Sequence, residues 1–173
     1  MTASTLQTVL ALAILAPLAW AVVTDLRTRT IPNTVPVVII GLYALHAVTV
    51  WPDGGLFGDL AVAAVALVVG FLMFAANWLG GGDAKLIAAL ALWAGPQHAM
   101  AMVFVIALAG GVMAAAMLIA SLIWRPRTAD GDDATAAAPV MRRPVPYAVA
   151  IAAGGLYLTA PTVAAFAPTG LGG

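Results

Sequence analysis

A chain of 173 residues that is 64% hydrophobic and only 8% charged, with a mean hydropathy of +1.06, is neither an ordinary soluble domain nor a disordered one. Seven Lys and Arg balance seven Asp and Glu, which leaves no basic surface for nucleic acid and no acidic tail for steering. The composition is that of an integral membrane protein. It has no cysteine, hence no disulfide framework, thiolate nucleophile or Cys-based zinc site.

A helix crossing the hydrocarbon core needs roughly 20 apolar residues. The first candidate run is 6–23. Ala19-Trp20-Ala21 resembles a signal-peptidase site, but Met1 to Thr8 holds no Lys or Arg, so the run is expected to be a retained span. The next runs are 35–50, with Pro36 at a helix start where a missing N–H costs little, and 60–79. A short run, 84–94, precedes Gly95-Pro96-Gln97, and 99–124 and 147–167 follow, the last with an internal Pro161.

Counting 84–94 as a crossing predicts an all-α polytopic fold, a six-transmembrane-helix bundle forming one membrane-embedded domain over 1–173. With six spans, Arg27, Arg29, Lys85, Arg125, Arg127, Arg142 and Arg143 all fall in connections on one side. The positive-inside rule makes that side cytoplasmic and puts both termini outside. Trp20, Trp51, Trp78, Trp93 and Trp124 lie near the proposed span ends, as interfacial anchors do. The run 84–94 conflicts with this scheme, because eleven helical residues cover only about 16 Å. Residues 125–146, rich in Ala, Asp and Pro, are expected to form a mobile cytoplasmic loop. His46 and His98 have no carboxylate or second histidine at ligand spacing, so no metal or cofactor is assigned.

Ionisable groups at membrane depth are costly and point to function. Two same-side stretches carry one at a helix boundary: "TDLRTRTIPN", residues 24–33, and "GGGDAKL", residues 80–86. If Asp25 and Asp83 are neighbours, two carboxylates can share one proton, the general acid and base pair of aspartic proteases. Gly80, Gly81 and Gly82 would permit positive φ and close approach to an extended substrate. Competing readings are an Asp83 that merely N-caps its helix, Arg27 and Arg29 as topology determinants, and a Lys85 that either tunes Asp83 or snorkels to the interface. Asn33 is expected to cap the second helix after the Ile31-Pro32 bend. Asp53 and Asp59 read as solvated loop residues, Asp59 also as a cap.

Together the two stretches resemble the paired motifs of type IV prepilin peptidases, the G-x-G-D membrane aspartyl proteases. Asp25, Arg27, Ile31, Pro32 and Asn33 match the first motif; Gly80, Gly82, Asp83, Lys85 and Leu86 match the second. Residues 144–155, "PVPYAVAIAAGG", are similar to the last span of short members, with Ala148 in place of an expected glycine.

The resemblance implies that Asp25 and Asp83 are catalytic and face the cytoplasm of a bacterial inner membrane. They would remove a basic leader just before the substrate's hydrophobic helix, within the bilayer. Larger members carry a Cys-x-x-Cys domain and also methylate the new N-terminus. A cysteine-free chain without room for that domain is similar to the short peptidases of tight-adherence (Tad/Flp) pili, whose substrate is a Flp-type prepilin. The alternative reading is a small proton- or cation-coupled transporter component using the same aspartates.

Overall fold

A backbone in lipid must satisfy its own hydrogen bonds, and the regular elements among the described residues are all helices. The computed structural model describes residues 3–50, 55–123 and 147–166. In chain order these form α1 (Ala3–Ala13), α2 (Leu15–Thr28), α3 (Thr34–Val50), α4 (Leu56–Ala75), α5 (Gly81–Ile123) and α6 (Tyr147–Phe166). α1 and α2 are one apolar stretch interrupted near Ile14. Pro17 has no N–H for the carbonyl of Ala13 and crowds it; the ladder resumes where Leu18 N–H donates to Ile14 O at 3.2 Å. α2 stops at Arg29, in the left-handed conformation with φ 56° and ψ 30°.

The expected six-span bundle is corrected by the structure. Among the described residues three helical stretches are long and apolar enough to cross a membrane, Thr5–Thr28, Leu56–Ala75 and Gly81–Ala120, while Thr34–Val50 is a shorter apolar helix. At seventeen residues, α3 measures about 26 Å, less than the roughly 30 Å hydrocarbon core. The misreading arose at Gly95-Pro96, since such a pair commonly marks a loop. Here Pro96 begins a helical arm, where no N–H donor is needed, and only Gly95 leaves the helical conformation, at φ 57° and ψ −176°. The residue before a proline is pushed out of the α region, and glycine tolerates the positive φ. Residues 84–94 therefore belong to the first arm of one kinked helix and are not a separate crossing. Both termini, the loop 125–146, Trp51, Asp53 and Trp124 lie outside the described residues.

The first arm of α5 is the centre of the molecule. Leu86, Ala89, Leu90 and Ala91 are buried together with Leu18 of α2, Ile39 of α3 and Ile151 of α6. α4 crosses this arm closely because Gly70 has no side chain; a Cβ there would sit 3.0 Å from that of Ala84. Apart from Gly70, α4 has no buried residue, although it is apolar on every face, a distribution that suits lipid and not water. Trp20 and Trp78 are exposed, as interfacial anchors should be, whereas Trp93 is packed inward, its indole N–H donating to Ile39 O at 3.2 Å.

Candidate active site

Three helix ends converge on two carboxylates. Asp25 lies in the last turn and a half of α2 and is buried, only 8% exposed. Its Oδ2 accepts the backbone N–H of Ala148, in the first turn of α6, at 3.2 Å. Asp83 lies in the first turn of α5; its carboxyl accepts a hydrogen bond from the backbone of Gly80, and it is close enough to Asp25 for the two charges to interact. Both carboxylates are thus held by N–H groups at a helix N-terminus, where unsatisfied donors and the helix dipole favour negative charge. Asp83 does not N-cap its helix. It occupies the third helical position and reaches back, as the acidic member of a capping box does.

The three glycines are required for space. None of Gly80, Gly81 or Gly82 has the positive φ expected of them. A Cβ on Gly80 would lie 2.6 Å from Asp83 Oδ2, one on Gly81 3.3 Å from the Phe74 ring, and one on Gly82 3.0 Å from Ile31 Cβ. The last approach brings the two sequence motifs together. They are tied a second time where Lys85 Nζ donates to Asn33 Oδ1 at 2.9 Å. Lys85 therefore turns to Asn33, and the Asn33 side chain is Lys85's partner instead of the expected cap. The Asn33 carbonyl still accepts Val37 N–H at 3.4 Å, and Pro32 O accepts Val35 N–H at 3.1 Å, closing the bend into α3. Arg27 and Arg29 are exposed beside this end.

A second polar group forms at the other end of the first arm of α5. Tyr43 O–H donates to Asp59 Oδ2 at 2.6 Å, and the His46 ring stacks on Trp93 with centroids 5.1 Å apart. Asp59 is therefore engaged with a neighbouring helix and is not a solvated loop residue. His98 packs edge-on against Tyr157. Among the described residues no three His, Cys, Asp or Glu side chains are grouped so as to hold a metal ion.

Sequence reasoning brought Asp25, Asp83, Ile31, Asn33, Gly80, Gly82 and Lys85 to one end of the molecule, and the structure places them there together. It missed the N-terminus of α6, whose contribution to Asp25 is a backbone N–H that no residue type marks. The model of the type IV leader peptidase family matches residues 12–123, which include both motifs. The chain belongs to that family. This leader peptidase is accordingly a membrane-embedded aspartic-type endopeptidase that removes prepilin leader peptides, and a polytopic bacterial membrane protein. No curated protein and no solved structure gives a significant match. The matched region ends before α6, so the N–H that holds Asp25 comes from beyond it.

Proposed function

We propose that Asp25 and Asp83 are the catalytic pair of this peptidase, within one membrane-embedded domain over 1–173. The observation that carries the reading is the meeting of a buried and a partly buried carboxylate at three helix ends, each already held by a backbone donor. One carboxylate, ionised, takes a proton from a water that attacks the scissile carbonyl; the other, protonated, donates to the carbonyl oxygen. In the resulting tetrahedral intermediate a proton passes to the leaving nitrogen and the C–N bond breaks, leaving a leader carboxylate and a new N-terminal amine. The two carboxyls titrate as a unit, so a bell-shaped rate profile reports values that belong to the pair. Gly80 keeps the space around Asp83 and Gly82 admits Ile31, Ile31 and Pro32 shape the facing loop, and the Lys85–Asn33 bond fixes the two motifs in register.

The site is read as facing the cytoplasm of the inner membrane, because Arg27, Arg29 and Lys85 are exposed at the carboxylate end, the distribution of a cytoplasmic face. A Flp-type prepilin with a basic leader is the proposed substrate. It rests on the motif resemblance and on the absence of cysteine from the chain. The test is leader cleavage of a co-expressed Flp-type prepilin, read by gel shift and product mass, with wild type, Asp25→Asn and Asp83→Asn compared at equal membrane abundance. Both variants are expected to be inactive. Cleavage by either removes that aspartate from the mechanism.

A further inference from the structure

α3 and α4 both border the first arm of α5, yet they make no substantial contact with each other. Between them runs an open slot with α5 as its floor, formed by two adjoining cavities of about 630 and 540 Å³ that share Ile40, Leu60 and Leu92. α3 and its lead-in line it from Asn33 to Val48, α4 with Leu60 and Ala64, and α5 with Lys85 and Ala88. From Asn33 to Val48 the slot is about 22 Å long at 1.5 Å per residue. The alanines let another helix approach closely. Its two ends differ. Toward one lies Tyr43, bonded to Asp59; the other is the Lys85–Asn33 bond, within one helical turn of Asp83.

We infer that this slot seats the hydrophobic helix of the prepilin substrate, its N-terminal end toward Lys85. The inference rests on the reading of Asp25 and Asp83 as the cleaving pair. An apolar slot of helical length that starts beside the catalytic turn fits a substrate whose scissile bond precedes an apolar helix. Two residues along a helix are about 200° around it, so Lys85 and Asp83 lie on opposite sides of the α5 N-terminus. A chain leaving the slot must therefore cross that end, past Gly80 to Gly82. The helix is about 10 Å across, a path of roughly three extended residues. The scissile segment accordingly reaches the carboxylates unwound.

The cysteine-free chain makes disulfide cross-linking direct. Val37→Cys and Ala64→Cys, one on each wall, are placed in the Asp83→Asn background and co-expressed with prepilins carrying one cysteine stepped through the hydrophobic helix. Leu156→Cys on α6 and Val112→Cys on the second arm of α5, both exposed, are the controls. Substrate cross-links from both walls, recurring at helical spacing, are expected, with none from the controls. Cross-links from the controls instead, absence of wall cross-links, or wall cross-links only between two enzyme copies would overturn the slot. Ala64→Phe with both aspartates intact is expected to cut cleavage at least tenfold at equal abundance, Leu156→Phe not at all. Cleavage at the wild-type rate by Ala64→Phe sinks the slot and leaves the catalytic pair standing. The pair falls only if Asp25→Asn or Asp83→Asn still cleaves.

Discussion

The two ends of the first arm of α5 hold the same residue type in the same kind of place and give it different partners. Asp83 lies in the first turn of α5 and Asp59 in the first turn of α4. Asp83 faces another carboxylate, an arrangement that is poor fastening and good acid–base chemistry. Asp59 faces a tyrosine hydroxyl at 2.6 Å, a satisfied bond that ties α4 to α3 across the kink. An aspartate at a helix start is thus uninformative alone, and its partner separates a candidate acid–base group from a fastening.

The contrast predicts different losses at the two ends. The largest is at the carboxylate pair: Asp25→Asn and Asp83→Asn each lower prepilin cleavage by about a hundredfold or more, the scale of lost general acid–base catalysis, while Asp59→Asn, which keeps an acceptor for Tyr43, cleaves as wild type in the same assay. Gly80→Ala follows, because its Cβ would lie 2.6 Å from Asp83 Oδ2 and displace that carboxyl; cleavage is expected to fall about tenfold, the cost of an ångström-scale misplacement being of this order or larger, with little change in thermal stability. Gly95→Ala should do the reverse. Its φ of 57° and a Cβ 2.5 Å from Asp59 Oδ1 are expected to cost about 1–3 kcal/mol, read as a lower unfolding temperature in detergent. Tyr43→Phe removes the donor to Asp59 and is expected to cost about 1–2 kcal/mol with cleavage retained. Smallest is Lys85→Met, whose exposed bond to Asn33 should change stability by less than about 1 kcal/mol. A stability loss at Asp83 larger than that at Tyr43, or a cleavage loss at Asp59 equal to that at Asp83, would erase the distinction between the ends.

Much of the candidate site was legible because its residues are of types that are expensive in an apolar chain. Asp25, Asp83 and Lys85 stand out against lipid-soluble neighbours, and two motifs in order outweigh either alone. The glycines were legible as a group, but their reason was not: Gly80, Gly81 and Gly82 are there for Asp83, Phe74 and Ile31 to come close, and close approach between distant segments leaves no local mark. The same holds for Asn33, whose side chain goes to Lys85, and for the Ala148 N–H on Asp25.

The sequence by itself determined that the chain lives in a membrane, that it is helical, and which two carboxylates stand out at the helix ends of one side. Those properties follow from composition and from the cost of charge in lipid, which act residue by residue. Tertiary structure alone decided that Gly95-Pro96 bends a continuing helix instead of ending one, that α6 supplies a donor to Asp25, and that α3 and α4 stand apart to leave a slot. Each depends on what packs against what. Gly95 can hold its φ of 57° because it has no Cβ to meet Asp59 Oδ1, and the slot has the first arm of α5 as the floor between its two walls.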